Sequence, residues 1–267
     1  MQDPTSHLDA SARQWVRDIR IFDRVASTND LLKQAAREGA PEGTVALAAV
    51  QTAGRGRHGR VWVSPPGNLF LSILVRPPDP ALLTLLPLAA GVAVAEALES
   101  CGAPCRLKWP NDVLAGGRKL AGILAEASSE SGRLDAVVIG IGANVNVARD
   151  TLPEDLRATA TSLRDESGRV QVLEQVAAAV LSRWAVCYHA LQIDRRGVRE
   201  AWRALSIDWW GRPIELLSGD RRIAGVPRDI DETGALILET PDGARVAMLS
   251  GEARELRPTQ TDAAPRS

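Results

Sequence analysis

Glycine and arginine alternate in one short stretch of the chain, residues 51–60, which reads QTAGRGRHGR. Glycine permits tight turns and lets a ligand approach the backbone N–H groups closely. Arginine adds a permanent charge and a planar fork of donors that matches phosphate and carboxylate groups. The chain has 32 Lys and Arg against 33 Asp and Glu, so this positive charge is local. The stretch, called the Gly/Arg loop below, therefore predicts a site for an anionic ligand rather than a surface that attracts nucleic acid.

Two further segments place charge beside residues that shape the backbone. In residues 108–112, KWPND, Pro110 fixes the backbone between Lys108 and Asp112. The lysine could neutralise a phosphate and the aspartate could hold Mg²⁺, but a surface turn with an ion pair explains this segment, taken alone, more simply. In residues 116–124, GGRKLAGIL, a basic pair precedes a strand that contains Gly122. A glycine within a strand often marks the close approach of a ligand, although a hairpin with a solvated tip has the same pattern.

A third segment, residues 140–146, reads GIGANVN and ends a predicted strand. It contains half of a dinucleotide-binding fingerprint, but the third glycine and the following helix are missing, so the pattern favours a strand whose Asn144 amide points into a cleft. Trp62 follows the Gly/Arg loop by two residues and could cover a purine or pack in the core. No Ser-His-Asp set with a nucleophile elbow occurs, and His58 is interpreted as a neutral spacer or donor.

Composition bounds the class of protein. With 267 residues, 45% hydrophobic and 24% charged, the chain can bury a sizeable core. No stretch approaches the roughly 20 apolar residues of a membrane span, and the N-terminus has no secretory signal. The three cysteines lack the spacing of a zinc site and indicate reduced thiols. These features predict a cytoplasmic protein that does not associate with membranes.

Hydrophobic periodicity predicts a large mixed domain followed by short strands. Helices are expected at 11–20, 29–38, 82–100, 172–191 and 198–205, with a short helix and loop in 154–163. Strands are expected at 44–50, 68–76, 106–109, 120–127 and 136–142, the last two joined through the polar stretch 128–133. After residues 208–212 the pattern changes to strands at 213–217, 221–226, 235–239 and 244–249. Their even spacing predicts a small β-barrel.

Taken together and in order, the motifs closely resemble the motif series of biotin–protein ligases. The residues that carry the resemblance are Ser27-Thr28-Asn29, the Gly/Arg loop with Trp62, 108–112, 119–124, Gly140, Gly142 and Asn144. Gly219, Asp220, Gly225, 231–238 and 250–252 resemble the small SH3-like barrel of the same family. The resemblance covers roughly residues 21–257.

The resemblance implies an α+β fold, in which helices pack on a mixed β-sheet as in class II aminoacyl-tRNA synthetases. It implies an N-terminal extension at 1–20, a catalytic domain at 21–208, an SH3-like barrel at 209–257 and a disordered tail at 258–267. Because only about 20 residues precede the catalytic domain, the chain resembles the monofunctional members without an N-terminal DNA-binding domain.

The resemblance also implies a two-step reaction. The biotin carboxylate attacks the α-phosphate of ATP to give biotinyl-5′-AMP and pyrophosphate, and a lysine of a biotin carboxyl carrier protein then displaces AMP. Such chemistry requires positioning and charge neutralisation more than a protein nucleophile. Mg²⁺ accompanies ATP. No DNA partner is expected, and a homodimer is possible within the family.

Residue roles follow from the same resemblance. Biotin is expected to contact Ser27, Thr28, Asn29, Gln51, Gly54, Arg55, Lys119 and Gly122. ATP is expected to contact Arg55, Arg57, Arg60, Trp62, Lys108, Asn111, Asp112, Lys119 and Asn144. Lys119, Arg55 and Asp112 are the expected catalytic residues, and Asp112 is the expected Mg²⁺ ligand.

Three alternatives remain for the function. A ligase for lipoate or octanoate would require a long apolar slot and fewer polar partners than Ser27, Thr28 and Gln51 offer. A nucleic-acid-binding protein would show aromatic residues between its basic ones and an overall basic face. A biotin-sensing regulator without transfer activity would be expected to carry a DNA-binding domain.

Overall fold

The computed structural model describes residues 1–130 and 133–255. Its first compact unit spans Met1–Ile207 and contains a seven-stranded sheet in the order β1-β2-β3-β7-β6-β5-β4. The strands are β1 Asp18–Val25, β2 Thr44–Gln51, β3 Leu69–Val75, β4 Arg106–Lys108, β5 Asp112–Ala115, β6 Arg118–Glu130 and β7 Arg133–Ala143. Strands β1 and β2 run parallel, and the other neighbours run antiparallel. The predicted α+β class is confirmed.

Helices of the first unit surround this sheet. They are α1 Ala10–Trp15, α2 Thr28–Arg37, α3 Leu86–Ser100, α4 Glu154–Arg157, α5 Leu163–Ser167, α6 Leu173–Ile193 and α7 Arg195–Leu205. Of these, α2, α3, α6 and α7 contact its strands directly. Helix α2 begins where the Ser27 side chain accepts a hydrogen bond from Asp30 N at 3.4 Å, and it stops before Gly39, whose φ is 86°. Both ends were predicted, because a serine cap and a left-handed glycine are the usual punctuation of a helix.

One face of the sheet has small residues at several neighbouring positions near its centre. Ser72 on β3, Gly140 on β7 and Leu124 on β6 lie opposite one another, and the next row along the same face is Phe70, Gly142 and Gly122. Helix α2 covers one end of this face, where Leu32 and Ala36 pack with Ala46, Leu74 and Val138. The row that contains Gly142 and Gly122 lies beyond helix α2, so a side chain from another part of the chain can approach the backbone there.

The opposite face forms a dry apolar layer. Leu69, Leu71 and Ile73 of β3 are fully buried, and Ile139 and Ile141 of β7 are at most 3% exposed. Helices α3 and α6 contact each other and the sheet. This layer fixes the position of the central strands, because an interior at crystal-like density yields little to local strain.

Helix α6 corrects one expectation. By length and composition it is the one helix in the described chain that could cross a membrane, although no stretch of that kind was expected from the sequence. Its buried residues include Trp184 and Tyr188, whose rings stack 5.2 Å apart, and 56% of its most apolar window is buried. These contacts are those of a core helix.

The N-terminal segment also differs from expectation. The helix predicted over 11–20 ends at Trp15, and β1 begins at Asp18 as an edge strand beside β2. The sequence of β1 has little apolar alternation, because most of its residues are only half-buried. The short strand β5 was missed for lack of length, since four residues give too few positions to reveal a period.

The second compact unit begins at Asp208 and contains a five-stranded antiparallel sheet in the order β11-β10-β9-β8-β12. Its strands are β8 Ile214–Ser218, β9 Arg221–Ile230, β10 Leu236–Glu239, β11 Arg245–Met248 and β12 Glu252–Glu255. The four predicted strands are confirmed. Strand β9 runs longer than expected and β12 was missed. The predicted disordered tail at 258–267 and residues 131–132 of the predicted hairpin connection lie outside the described residues.

Packing requires glycine at position 140, beneath helix α2, but not at position 91 in α3. A Cβ atom built on Gly140 would lie 2.9 Å from Asn29 Cγ, whereas one built on Gly91 meets Leu107 and Trp202 at ordinary distances of 3.5 Å and more. We expect Gly140→Ala to lower the free energy of unfolding by about 1–3 kcal/mol through overpacking. Gly91→Ala should raise it by about 0.5–1 kcal/mol, because alanine favours a helix. Urea unfolding of both variants checks this pair, and equal effects would contradict the packing argument.

Candidate active site

Trp62 rests on the glycine row of the sheet. Gly122 and Gly142 are direct cross-strand partners, and a Cβ atom built on Gly142 would lie 2.6 Å from Trp62 Nε1. A Cβ atom built on Gly122 would lie 3.1 Å from Trp62 Cζ3. The Trp62 indole therefore lies so close to the backbone that only glycine fits at position 142, and a side chain at position 122 would crowd it. We call Gly122 and Gly142 the glycine floor.

The Gly/Arg loop folds back on itself as a short hairpin. Gly54 O accepts a hydrogen bond from Trp62 N at 3.0 Å, and Gly56 N donates to Arg60 O at 2.8 Å. Gly54 cannot carry a side chain, because a Cβ atom there would lie 2.7 Å from Trp62 O. At the exposed tip, His58 has a φ of 56°, which is unusual for a residue other than glycine. His58 thus shapes the turn, in agreement with its interpretation as a spacer.

Arg55 fastens the loop to helix α2. Its two terminal nitrogens each lie 2.6 Å from an oxygen of Asp30, in a bidentate pair, and Nη2 lies 3.5 Å from Glu126 Oε2. The Arg55 hydrogen bond holds the pKa of Asp30 well below its usual range, with Lys33 adding to the effect. Asp30 in turn raises the pKa of the Arg55 guanidinium. In this arrangement Arg55 binds the protein's own carboxylates.

Lys119 and Asp112 meet at the edge of the glycine floor. Lys119 Nζ lies 2.6 Å from Asp112 Oδ1, without the angles of a hydrogen bond, and 5.4 Å from the centre of the Trp62 ring. Asp112 is the cross-strand partner of Gly122 on one side and of Lys108 on the other. A cation and a carboxylate are therefore held beside the glycine floor, where a ligand could lie against the backbone.

A short strap holds the backbone of Lys119. Lys119 N donates to Thr159 O at 2.8 Å, and Thr161 N donates to Lys119 O at 2.9 Å. Glu166 accepts hydrogen bonds from Arg118 and from the Thr161 hydroxyl, which ties the strap to helix α5. The same two bonds lower the pKa of Glu166, although burial alone would raise it.

Arg57 points from the Gly/Arg loop towards Asn111. Its Nη1 donates to Asn111 Oδ1 at 3.3 Å, and Asn111 Nδ2 donates to Ile123 O at 2.8 Å. Burial lowers the pKa of Arg57, and the nearby Asp112 charge opposes that change. Arg60 is exposed at the base of the loop. Three cationic side chains, those of Arg57, Lys108 and Lys119, thus surround Asp112 through sheet pairing and the loop.

The polar residues expected to bind biotin form one buried network. Thr28 N donates to Gln51 Oε1 at 2.9 Å, and Thr28 Oγ1 lies 3.1 Å from the same oxygen. Asn29 is engaged at both ends of its amide, by Ser72 Oγ at 2.6 Å and by Glu126 Oε2 at 2.7 Å. Ser27 caps α2. The structure therefore brings Thr28, Asn29 and Gln51 together.

Asn144 lies at the far end of the floor and is buried. Its Nδ2 donates to Thr161 O at 3.0 Å, and its Oδ1 accepts from Asn68 Nδ2 at 3.4 Å. The amide connects the strap to the start of β3 rather than standing alone in a cleft. Its expected contact with adenine stays a prediction.

Sequence reasoning missed two residues of the network, Ser72 and Glu126. Ser72 is fully buried in an otherwise apolar strand, and Glu126 lies two residues beyond Leu124 on the same face of β6. Buried polar residues in apolar strands need partners, so both could have been marked as candidates from strand alternation alone.

The Asp30–Arg55 pair should stabilise the fold in a pH-dependent way. Asp30→Asn is expected to lower the free energy of unfolding at pH 7 by less than about 1 kcal/mol, because both side chains are more than a third exposed. Since folding lowers the pKa of Asp30, the contribution is full above about pH 5, begins to decline near the unfolded-state pKa of about 4, and is lost only as pH falls towards the lower folded-state pKa. Urea unfolding should show a larger deficit at pH 7 than at pH 3. A double-variant cycle with Arg55→Ala isolates the pair, and a deficit independent of pH would contradict this account.

Comparison with known proteins places this geometry in a family. Residues 21–144 match the biotin/lipoate A/B protein ligase family, and residues 210–253 match the biotin protein ligase C-terminal domain. The chain is 39% identical over 211 residues to a biotin–[acetyl-CoA-carboxylase] ligase of Paracoccus denitrificans, covering 75% of this chain and 85% of that protein. It is 36% identical over 257 residues to a protein of the same name from Mycobacterium tuberculosis, covering 90% of each.

A solved structure agrees with these sequence matches. The biotin protein ligase of Aquifex aeolicus in complex with biotin and ATP superposes with a TM-score of 0.78 at 32% identity, covering 89% of this chain and 98% of that one. The agreement extends over both matched segments. The chain therefore belongs to the biotin protein ligase family.

Proposed function

We propose that the protein is an ATP-dependent biotin–protein ligase that forms biotinyl-5′-AMP and transfers biotin to a lysine of a carrier protein. The observation that carries the proposal is the placement of Lys119 and Asp112 at one end of the glycine floor, with the Thr28–Gln51 network near the other. Biotin has the matching layout, since a polar ureido ring and a carboxylate lie at opposite ends of an apolar body.

The glycine floor supports the apolar body of biotin in this proposal. Rows of Ser72–Gly140 and Phe70–Gly142 are two residues apart along the strands, so a bicyclic ring can reach the Thr28–Gln51 network while its chain runs towards Lys119. Trp62 contacts the same floor, so it moves aside or packs over the ligand. Ligand burial beneath Trp62 would exclude water from a reactive acyl phosphate.

Charge placement supports the first chemical step. A biotin carboxylate oxygen attacks the α-phosphorus of ATP, a P–O bond forms, and pyrophosphate leaves with its electron pair. In this proposal Lys119 neutralises charge that builds up between carboxylate and α-phosphate, while Arg57 and Arg60 bind the remaining phosphates. Arg55 can exchange its protein carboxylates for the ligand anion, because it already crosses from the loop to the floor.

The second step needs no protein nucleophile. The neutral amine of the carrier lysine attacks the acyl carbon, an amide bond forms, and AMP leaves. Burial raises the pKa of the Cys105 and Cys187 thiols to about 12, which leaves almost no thiolate at neutral pH. This supports direct transfer from the adenylate to the carrier. Contact with the incoming lysine is a second candidate role for Asp112, beside the orientation of Mg²⁺ and ATP.

Mg²⁺ would enter with ATP. Among the described residues there is no cluster of three or more His, Cys, Asp or Glu that could hold a metal by itself. Asp112 fits the requirement of a nucleotide-bound Mg²⁺, which takes one or two carboxylates and otherwise phosphate and water. Its Oδ1 is buried and makes no hydrogen bond, and its partner in the structure is the Lys119 ammonium at 2.6 Å, which Mg²⁺ would displace. Bound there, Mg²⁺ would neutralise phosphate charge.

The carrier is a biotin carboxyl carrier protein in this proposal. Its support is the name shared by the relatives from Paracoccus and Mycobacterium, which specifies acetyl-CoA carboxylase. A cytoplasmic location, the lack of a DNA partner and a homodimer stay predictions.

Labelled biotin, ATP, Mg²⁺ and a biotin carboxyl carrier domain test the function directly. Biotin should appear on the carrier and pyrophosphate should be released in equal amount. Since the matched family also includes lipoate ligases, lipoate is the decisive competitor. Transfer of lipoate without transfer of biotin would overturn the proposal.

Lys119 should matter for chemistry more than for folding. We expect Lys119→Ala to slow biotinyl-5′-AMP formation by about 10²–10³-fold, as for loss of one charge-stabilising donor. Its urea unfolding should stay near that of the wild type, because the strap bonds use the Lys119 backbone. Arg196→Ala is the matched control, since it removes an exposed cation on α7. Pyrophosphate release measures the rate, and a near-normal rate would reject the assigned role.

A further inference from the structure

A chain of four buried or half-buried polar side chains runs from β6 to helix α2. Glu126 Oε2 accepts from Asn29 Nδ2 at 2.7 Å, Asn29 Oδ1 lies 2.6 Å from Ser72 Oγ, and Ser72 Oγ lies 2.7 Å from Thr28 Oγ1. Ser72 is fully buried, and Thr28 and Asn29 are at most 5% exposed. Each of these groups must therefore find its hydrogen-bond partner inside the protein.

Glu126 determines the orientation of Asn29. Burial alone would raise the pKa of Glu126, but hydrogen bonds from Asn29 and Lys33 and the Arg55 charge outweigh that effect and lower it. The ionised carboxylate can only accept hydrogen bonds. The second neighbour of Asn29 Nδ2 is Leu124 O at 3.4 Å, which is also an acceptor. Asn29 must therefore present its NH₂ to Glu126 and its oxygen to Ser72.

The orientation of Asn29 fixes the two hydroxyl protons in turn. Asn29 Oδ1 cannot donate, so the single proton of Ser72 lies in the 2.6 Å contact between them. Ser72 then has no proton for Thr28, and the 2.7 Å contact is made by the Thr28 proton. Two hydroxyl protons thus serve three oxygen–oxygen contacts, of 2.6, 2.7 and 3.1 Å, and a contact without a proton is least unfavourable where the oxygens are furthest apart.

Thr28 and Gln51 consequently meet as two acceptors. The Thr28 proton is used by Ser72, and Gln51 Oε1 faces Thr28 N, which donates to it at 2.9 Å. The 3.1 Å contact between Thr28 Oγ1 and Gln51 Oε1 has hydrogen-bond geometry, but the count of protons leaves it as the contact without one. Two converging acceptors are satisfied by one N–H donor placed between them.

We propose that Glu126 and Ser72 are positioning residues that set the polarity of this chain, so that Thr28 Oγ1 and Gln51 Oε1 select a ureido N–H of biotin. This inference rests on the proposed function for the identity of the ligand. Neither residue touches biotin. Both act by withdrawing the Thr28 proton from the ligand side, which makes the pocket reject a ligand that offers an oxygen there.

Glu126→Gln reverses the polarity without a change of size. Lys33 lies 2.9 Å from Glu126 Oε1, so the single oxygen of the new amide turns to Lys33 and its NH₂ turns to Asn29. Asn29 then flips and donates to Ser72, Ser72 donates to Thr28, and the Thr28 proton becomes free for Gln51 or the ligand. Ser72→Ala frees the same proton by removing its acceptor.

Calorimetric binding to the full chain tests the inference with biotin and two cyclic carbamates, in each of which one ureido N–H is replaced by oxygen. The wild type should bind at least one carbamate about 100-fold more weakly than biotin, because two acceptors then face a third. Glu126→Gln and Ser72→Ala should reduce that ratio by about tenfold or more. Ser128→Ala removes a buried serine elsewhere on β6 and should leave the ratio unchanged.

The ratio separates polarity from general damage. A variant that only loosens the fold weakens biotin and carbamate alike, so a ratio within twofold of the wild type in both variants would overturn the inference. Equal binding of biotin and both carbamates by the wild type would also overturn it. Adenylate formation is measured separately. If the wild type binds biotin and the carbamates in the expected ratio but forms no adenylate, the proposed function is wrong and the inference about the acceptor pair holds. If the wild type does not bind biotin at all, both are wrong.

Discussion

Close approach of side chains to bare backbone is the constraint on which the site depends. Gly122, Gly140 and Gly142 lie in two adjacent rows of the central sheet, and each receives a side chain that a Cβ atom would displace. The positions of these glycines are fixed because the other face of the same strands is a closely packed apolar layer. A rigid sheet therefore carries, on its exposed side, a surface whose contacts are set to a few tenths of an ångström.

Two sets of ion pairs lie beside that surface. Arg55 binds Asp30 and Glu126, and Lys119 meets Asp112, so the cations that should meet phosphate are already paired with protein carboxylates. A ligand anion must compete with those carboxylates. The exchange costs little when it replaces one anionic partner by another, since the desolvation of the cation has already occurred. The half-buried cations of the site thus have protein partners until an anionic ligand replaces them.

Local sequence predicted most elements but not how they meet. Helix α2 and strands β2 and β3 follow from a serine cap, a terminal glycine and apolar runs of strand length. The Gly/Arg loop was marked as a candidate anion site from residue types alone, whereas the KWPND segment became one only through the family resemblance. Asp30 and Arg55 are 25 residues apart, so their pairing depends on how α2 and the loop meet. No motif marks Ser72 or Glu126, whose positions in the network depend on sheet register. Register is a property of the assembled sheet, and the sequence of a single strand does not show which residues of the neighbouring strand it will face.

Trp62 gives the pocket an internal competitor. Its indole contacts the glycine floor, so the protein exists in at least two arrangements of this loop if biotin uses the same floor. Only the fraction of molecules with the indole withdrawn can accept biotin directly, and the apparent dissociation constant rises by the inverse of that fraction. A substitution that weakens the hold of Trp62 on the floor would therefore tighten biotin binding while it loosens retention of the adenylate. Natural substitutions at this position would therefore change biotin affinity and adenylate retention in opposite directions.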